Sequence, residues 1–274
     1  MKADLHTHTY YSDGILSPDE LLTKASSFGM KAIAITDHDT IDGAVEGSRI
    51  AGKHNIEVII GCEFSCYENE KEYHILGYNL DPDNQNLQIH LKNYRNVRHF
   101  RAKNIHKKLD EFGYKIDFQD ILDIAGAAPI TRPHIAQALV KNGLIPTMKE
   151  AFIKLIGDGC PAYQPKALFS VKNCISLINN SGGLAVIAHP RNYIDPNTLY
   201  TFIEQGLDGI EVYHPSHSQE QVKYYHYVAS QYWLLETGGS DFHGNREYDE
   251  TNFGNFTVDY NIVESIKYLA TNKY

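Results

Sequence analysis

The chain has 274 residues, 42% of them hydrophobic and 22% charged, which is ordinary globular composition with ample length for one large domain or a domain carrying an insertion. Its formal net charge of −9 argues against an extended nucleic-acid or membrane-binding surface. Four cysteines show no paired metal-finger spacing, no leader pattern stands ahead of the first motif, and no apolar run approaches membrane-spanning length. A reduced, cytoplasmic protein is therefore expected.

The chain opens on Asp4-Leu5-His6-Thr7-His8, followed by Ser12-Asp13-Gly14. A strand over 3–8 puts His6 and His8 on one face, where two imidazoles can chelate one divalent ion, and the turn can return Asp13 towards it. Ser17-Pro18-Asp19-Glu20 reads as a capped helix start, with Gly29 ending the helix. The strand 31–36 leads into Asp37-His38-Asp39, a helix fills about 42–54, and the strand 57–61 leads into Cys62-Glu63-Phe64-Ser65. A further strand, 72–78, contains His74. Strand and helix alternate and the strands are apolar, so parallel pairing is expected, with metal-capable residues at the C-terminal strand ends where α/β active sites lie.

The rhythm changes between 81 and 164. A long helix is predicted from about 86 to 112, with Leu87, Leu91, Tyr94, Val97, Ile105, Leu109 and Phe112 as its apolar stripe and Arg95, Arg98 and Arg101 spaced three apart. Shorter helices follow over 117–125, 133–142 and 147–156, with Arg132-Pro133-His134 opening the second. The α/β pattern resumes with a helix over 170–181 and the strand 184–188, which ends in His189. It continues with the strand 209–213, ending in His214, a helix over 218–230 and the strand 233–237 before Ser240-Asp241-Phe242-His243. Histidine is abundant, fourteen in all; His54, His90, His99, His106 and His226 fall on expected helix surfaces and read as solvated.

Taken together, HxH at 6–8, DHD at 37–39, CEFS at 62–65, YHILGY at 73–78, AHP at 188–190 and SDFH at 240–243 make the chain similar to the polymerase and histidinol phosphatase (PHP) family of metal-dependent phosphoesterases. The resemblance implies a distorted (β/α)7 TIM-like barrel over 1–80 and 165–274, with the helical insertion 81–164 covering the active site. It implies three divalent ions: His6, His8, Glu63 and Asp241 for the first, Glu63, His74 and His189 for the second, Asp13, His38 and His243 for the third. Asp13 stands where some family members carry histidine, and its carboxylate favours Mn²⁺, with Zn²⁺, Fe or Mg²⁺ also compatible.

Two ions sharing Glu63 can hold a bridging hydroxide and clamp phosphoryl oxygens. Asp39 or His214 can protonate the leaving oxygen. The arginine-bearing insertion resembles the branch that removes the 3′-phosphate of nucleoside 3′,5′-bisphosphates and, in related members, trims short RNA from its 5′ end. Arg98, Arg101, Arg132 and His134 are then expected at the second phosphate, with Asp39 and His243 near the substrate. Two alternatives stay open: a histidinol-phosphate or other small phosphomonoester phosphatase, and a catalytically silent metal-binding module.

Overall fold

The computed structural model describes residues 1–165, 169–191 and 194–273, and the chain divides into two compact units, Met1–Ile89 with Leu168–Tyr274, and His90–Ala167. The first unit is an eight-stranded, nearly closed barrel. Its strands are β1 (Lys2–Thr7), β2 (Met30–Ile35), β3 (Glu57–Glu68), β4 (Lys71–Tyr78), β5 (Leu184–Ile187), β6 (Gly209–Tyr213), β7 (Leu235–Gly238) and the two-residue β8 (Val258–Asp259). They follow the order β7-β6-β5-β4-β3-β2-β1-β8. The distorted seven-fold barrel of the sequence reading corresponds to β1–β7, and β8 adds antiparallel to the start of β1.

Closure between β7 and β1 comes from the segment after β7. Asp241 N–H donates to His6 O at 2.9 Å, His8 N–H donates to Phe242 O at 2.9 Å, and Thr7 bridges Phe242 in parallel. Gly239 makes this approach possible, because a Cβ there would lie 2.4 Å from the His6 nitrogen and 2.5 Å from its Cβ.

Pairing is parallel from β1 through β3 and from β5 through β7, but β4 runs antiparallel to both neighbours. The first three strands pair in parallel, as their alternation with helices implies, and β4 turns back for a local reason. No helix separates β3 from β4; a two-residue turn does, with Asn69 and Glu70 at φ 47° and 62°. Positive φ at both central positions matches the right-handed twist of a tight hairpin. β3 also runs seven residues past the predicted end at 61, so Glu63 lies inside the strand. Because β4 runs the opposite way, His74 pairs with Ser65 and enters the site from the N-terminal half of its strand, not from a C-terminal end.

Helices α1 (Pro18–Ser27) and α2 (Asp42–His54) cover the first strands. The start of α1 is fixed by a capping box in which Ser17 and Glu20 satisfy each other's backbone N–H groups. Leu21, Leu22 and Ala25 of α1 pack with Ile33, Ile35, Phe242 and Phe253 in one core cluster; Leu5, Leu76, Val186, Val263 and Ile266 belong to another.

The second unit is helical. It contains most of α3 (Gln85–Glu111), then α4 (Phe118–Ala125), α5 (Arg132–Lys141) and α6 (Met148–Ala151), the last continued by a π-helical turn, Phe152–Ile156, where an ordinary helix was expected. Ile105 and Leu109 of the expected stripe join Ile121, Ile135, Leu139 and Leu155 in its core, whereas Phe112 lies beyond the end of α3 and is exposed. The remaining helices of the barrel unit are α7 (Val171–Asn180), α8 (Pro196–Glu204), α9 (Gln219–Tyr232), α10 (Asp249–Asn252) and α11 (Asn261–Asn272).

Several histidines read as solvated have partners. His54 Nε2 lies 3.0 Å from Asp19, His106 Nε2 lies 2.8 Å from the Ile116 carbonyl, and His226 Nδ1 lies 2.9 Å from Glu236.

Candidate metal centre

At one end of the barrel the strands deliver a buried knot of imidazoles and carboxylates. Potential ligand atoms gather in four overlapping groups among the described residues: His6, His8, Glu63 and Asp241; His38, Glu63 and His74; His8, Asp13, His38 and His243; and His6, Glu211 and His214.

Glu63 sits at the centre, and its two oxygens face different partners. Oε1 lies 2.7 Å from His74 Nδ1 and 2.9 Å from His189 Nε2. Oε2 lies 3.4 Å from His6 Nε2, 3.3 Å from His8 Nε2 and 3.2 Å from His38 Nδ1. Asp241 Oδ1 completes one group, 3.5 Å from His6 Nε2 and 3.3 Å from His8 Nε2. Asp13 Oδ1 belongs to another, 3.3 Å from His243 Nε2 and 3.9 Å from His38 Nε2. All nine residues expected to bind metal therefore lie in this one cluster.

The backbone is bent to present them. Asp39, His189 and Asp241 have φ of 53°, 27° and 53°, conformations that non-glycine residues adopt at a cost of about 1–3 kcal/mol each and that concentrate at functional sites. Asp39 secures the end of its loop: its N–H donates to Glu63 O at 3.1 Å and its Oδ1 accepts from Ser65 N–H at 2.9 Å. Asp37 turns away from the cluster and accepts from Thr9 N–H, Thr9 Oγ1 and Ser12 Oγ at 2.6–2.7 Å. It thereby holds the loop that carries His8 and Asp13.

Supporting residues that the sequence reading did not single out complete the arrangement. Glu211 Oε1 lies 2.9 Å from His6 Nδ1, and its Oε2 accepts the His189 backbone N–H at 2.6 Å. A carboxylate on Nδ1 fixes the tautomer that aims Nε2 at the cluster. Glu72 stands 2.8 Å from His74 Nε2, and Arg246 donates to Asp241 Oδ2 and to His243 Nε2, each at 2.7 Å. The alternation of β6 was the available signal for Glu211, since a buried acid in an apolar strand calls for a partner.

His214, buried beside Asp241, has Nδ1 accepting the Ser216 N–H at 3.1 Å, with the Ser216 hydroxyl 2.7 Å away. An accepting Nδ1 leaves the proton of the neutral ring on Nε2, which lies 3.6 Å from Asp241 Oδ2. His217 is occupied structurally, with Nδ1 at 2.9 Å from Val212 O and Nε2 accepting the Arg191 N–H at 3.2 Å.

Electrostatics divide the imidazoles. Burial opposes protonation throughout, but Asp241 and Glu63 outweigh it at His8, raised to about 9, and Glu63 and Glu72 outweigh it at His74, raised to about 10. Glu211, Glu63 and Asp241 also raise His6 well above its ordinary value. Burial prevails at His38, lowered to about 3, and lowers His189 and His243. Against their own burial, Glu63 and Asp13 are held well below the carboxylate range by the surrounding histidines, and Asp241 by Arg246, His6 and His243.

The donor set suits divalent cations. His6 Nε2, His8 Nε2, His38 Nδ1 and Asp13 Oδ1 are buried atoms with no hydrogen-bond partner among the described residues. Unsatisfied buried polar groups cost about 1–3 kcal/mol each, and ions coordinated by all four would remove that cost. A mixed imidazole and carboxylate set fits Mn²⁺, Fe or Zn²⁺.

The expected second-phosphate residues lie in the helical unit. Arg98 Nη1 approaches Ile130 O at 3.5 Å, and Arg101 Nε donates to Gln164 O at 2.8 Å. Arg132 Nη1 pairs with Asp158 at 2.6 Å, and its guanidinium lies 5.7 Å and 5.8 Å from the ring centroids of Phe152 and Tyr163. His134 Nδ1 accepts the Thr131 N–H at 3.2 Å, a cap on its own helix.

The PHP domain model matches residues 4–157. A 3′,5′-nucleoside bisphosphate phosphatase of Chromobacterium violaceum is 32% identical over 250 residues, 89% of this chain and 88% of that protein. A 5′-3′ exoribonuclease of Haemophilus influenzae is 32% identical over 247 residues, 88% of this chain and 90% of that protein. In three dimensions, a candidate metal-dependent phosphoesterase of Bifidobacterium adolescentis superposes with a TM-score of 0.89 at 31% identity, covering 96% of this chain and 94% of that one.

Proposed function

Because the chain belongs to the PHP domain family, a family of metal-dependent phosphoesterases, we propose that it removes the 3′-phosphate of nucleoside 3′,5′-bisphosphates and cleaves the same bond in short 5′-phosphorylated oligonucleotides. The observation that carries the metal chemistry is Glu63, a single carboxylate whose two oxygens face separate histidine groups, as a bridging ligand requires. In this reading His6, His8, Glu63 and Asp241 hold one ion, Glu63, His74 and His189 a second, and Asp13, His38 and His243 a third. Such ions, Mn²⁺ foremost, supply Lewis acidity, lowering the pKa of water and neutralising charge on the phosphoryl group.

The chain's own residues do the rest. Glu211 keeps His6 in its ligating tautomer, and Arg246 holds Asp241. His214 is better disposed than Asp39 to protonate the departing 3′-oxygen, since its proton sits on Nε2 whereas Asp39 Oδ1 accepts from Ser65. The second phosphate needs cationic donors apart from the ions. Arg98, Arg101, Arg132 and His134 of the helical unit are assigned to it, with Asp39 and His243 near the substrate. The four free cysteines suit a reducing, cytoplasmic setting, and among the described residues no helix is long and apolar enough to cross a membrane.

The test is phosphate release with Mn²⁺ from adenosine 3′,5′-bisphosphate, histidinol phosphate and a 5′-phosphorylated short RNA. Rapid release from the bisphosphate is expected, falling roughly 10- to 100-fold in kcat/KM for Arg98→Ala and Arg101→Ala, since a charge-assisted hydrogen bond is worth about 1.5–3 kcal/mol. Activity on histidinol phosphate alone would overturn the bisphosphate assignment. Silence on all three with metal bound would favour a non-catalytic module.

A further inference from the structure

A cleft of about 300 Å³ opens beside the metal cluster, and its lining includes none of the proposed ligands of the third ion. Its walls include Arg191, His214, Ser216, Arg246 and Tyr248, with Asp241 at its boundary with the cluster. Arg191 is anchored through Nε to the Ser216 hydroxyl at 2.9 Å, and its peptide N–H is held by His217 at 3.2 Å. Its backbone φ of 45° lies in the left-handed region, a conformation that concentrates at functional sites. Arg246 stands on the other segment and is tied to Asp241 and His243. The acids in the wall are already engaged: Asp249 Oδ2 accepts the N–H groups of His243 and Arg246, and Asp241 faces the histidines and Arg246. Tyr248 is 64% exposed at the rim, a flat ring available for stacking.

We propose that this cleft receives the nucleotide on the 3′ side of the scissile phosphate, with Arg191 and Arg246 on its phosphodiester and Tyr248 against its base. The inference rests on the function proposed above and names the feature that would extend it from bisphosphates to oligonucleotides. In both substrates water attacks phosphorus, an O–P bond forms, the P–O3′ bond breaks, and the 3′-oxygen leaves with a proton. The two substrates differ in one phosphoryl substituent: an unesterified oxygen in the bisphosphate, the 5′-oxygen of the next nucleotide in the oligomer. That substituent needs space next to the cluster and cations for the following phosphate. A volume at the lower end of small-molecule sites accommodates one nucleotide and no long duplex, in keeping with the chain's net charge of −9.

The experiment measures two things on the intact, metal-loaded protein. The first is kcat/KM for adenosine 3′,5′-bisphosphate and for a 5′-phosphorylated trinucleotide. The second is binding, by fluorescence anisotropy, of phosphorothioate-linked, 5′-phosphorylated di- and trinucleotides, with the 3′-phosphorothioate analogue of adenosine 3′,5′-bisphosphate as the reference. Wild-type affinity is expected to rise at least fivefold from the bisphosphate to the trinucleotide analogue. Arg191→Ala and Tyr248→Ala should each lower the trinucleotide-to-bisphosphate ratio of kcat/KM at least fivefold and remove most of the affinity gain. An affinity that does not rise with the added nucleotides overturns the inference, as do variants that scale both substrates equally. Loss of bisphosphate hydrolysis with the affinity gain intact would instead remove the proposed function and leave the cleft as an oligonucleotide subsite.

Discussion

Glu211 is the residue whose role is most sharply testable apart from the ligands themselves. It lies on β6 with no exposure to solvent, and its carboxylate is taken by His6 Nδ1 and the His189 N–H. Glu211→Gln should weaken ion binding about 10- to 100-fold while the fold persists, the usual effect of removing a carboxylate behind a ligating histidine; calorimetric titration with Mn²⁺ checks this, and unchanged affinity would contradict it. Protons provide a second test. His8 and His74 titrate near 9 and 10 in place of the ordinary 6.5, so both are protonated at pH 7 and must shed protons to ligate an ion. In the ion-free protein these raised values stabilise the fold fully below about pH 6.5, and that contribution is lost as pH rises through 9 to 10. Ion uptake at pH 7 should therefore release protons and tighten as pH rises, which calorimetry in buffers of different ionisation enthalpy detects; uptake with no proton exchange would count against it. The residues gathered in the cluster were legible because they stand beside short apolar strands in a metal-ligand vocabulary. Glu211, Glu72 and Arg246 were not, because a supporting role depends on which side chain stands behind which, and spacing along the chain does not encode that.

Among elements, β4 departs most from the sequence reading. The alternation of 72–78 identified a strand but not its direction, because direction is decided by the two residues of the turn before it. Asn69 and Glu70 both occupy the left-handed region. Glu70→Gly should stabilise the hairpin by about 1 kcal/mol by removing that cost from a side-chain-bearing residue; denaturant unfolding reads the change, and a loss of stability would argue that the Glu70 side chain contributes more than its backbone costs. The β7–β1 closure is the other element on which the site depends. With a Cβ at Gly239 only 2.4 Å from the His6 nitrogen, Gly239→Ala must push apart the segments bearing His6 and Asp241. Reduced metal stoichiometry by elemental analysis is expected in protein that retains its circular dichroism, and full stoichiometry would show that the closure tolerates a methyl group. The helices were legible almost to the residue where caps are written in the sequence, as at Ser17 and Glu20. The π-helical turn at Phe152–Ile156 leaves no comparable mark in residue pattern.

At the scale of the whole molecule, one end of the barrel buries polar atoms that the described residues leave without a hydrogen-bond partner. His6, His8, His38 and Asp13 each bury an atom with no hydrogen-bond partner among the described residues. Ions that bind only the folded chain stabilise it by mass action, about 2.7 kcal/mol when present at a hundred times their dissociation constant. Thermal unfolding should therefore shift upwards with Mn²⁺ and downwards with chelator, and to a lesser extent in Glu63→Gln. The barrel was legible from the repeated succession of strand, helix and polar strand end, whereas its eighth strand, only Val258–Asp259, was too short to carry a direction. The most direct measurement is product analysis of adenosine 3′,5′-bisphosphate hydrolysis in H₂¹⁸O, with Mn²⁺ and after chelation. Adenosine 5′-phosphate and ¹⁸O-labelled inorganic phosphate, formed only with metal and abolished in Asp241→Asn, are the predicted products. Adenosine 3′-phosphate as the product, or an undiminished rate after complete metal removal, would contradict a metal-dependent attack on the 3′-phosphate.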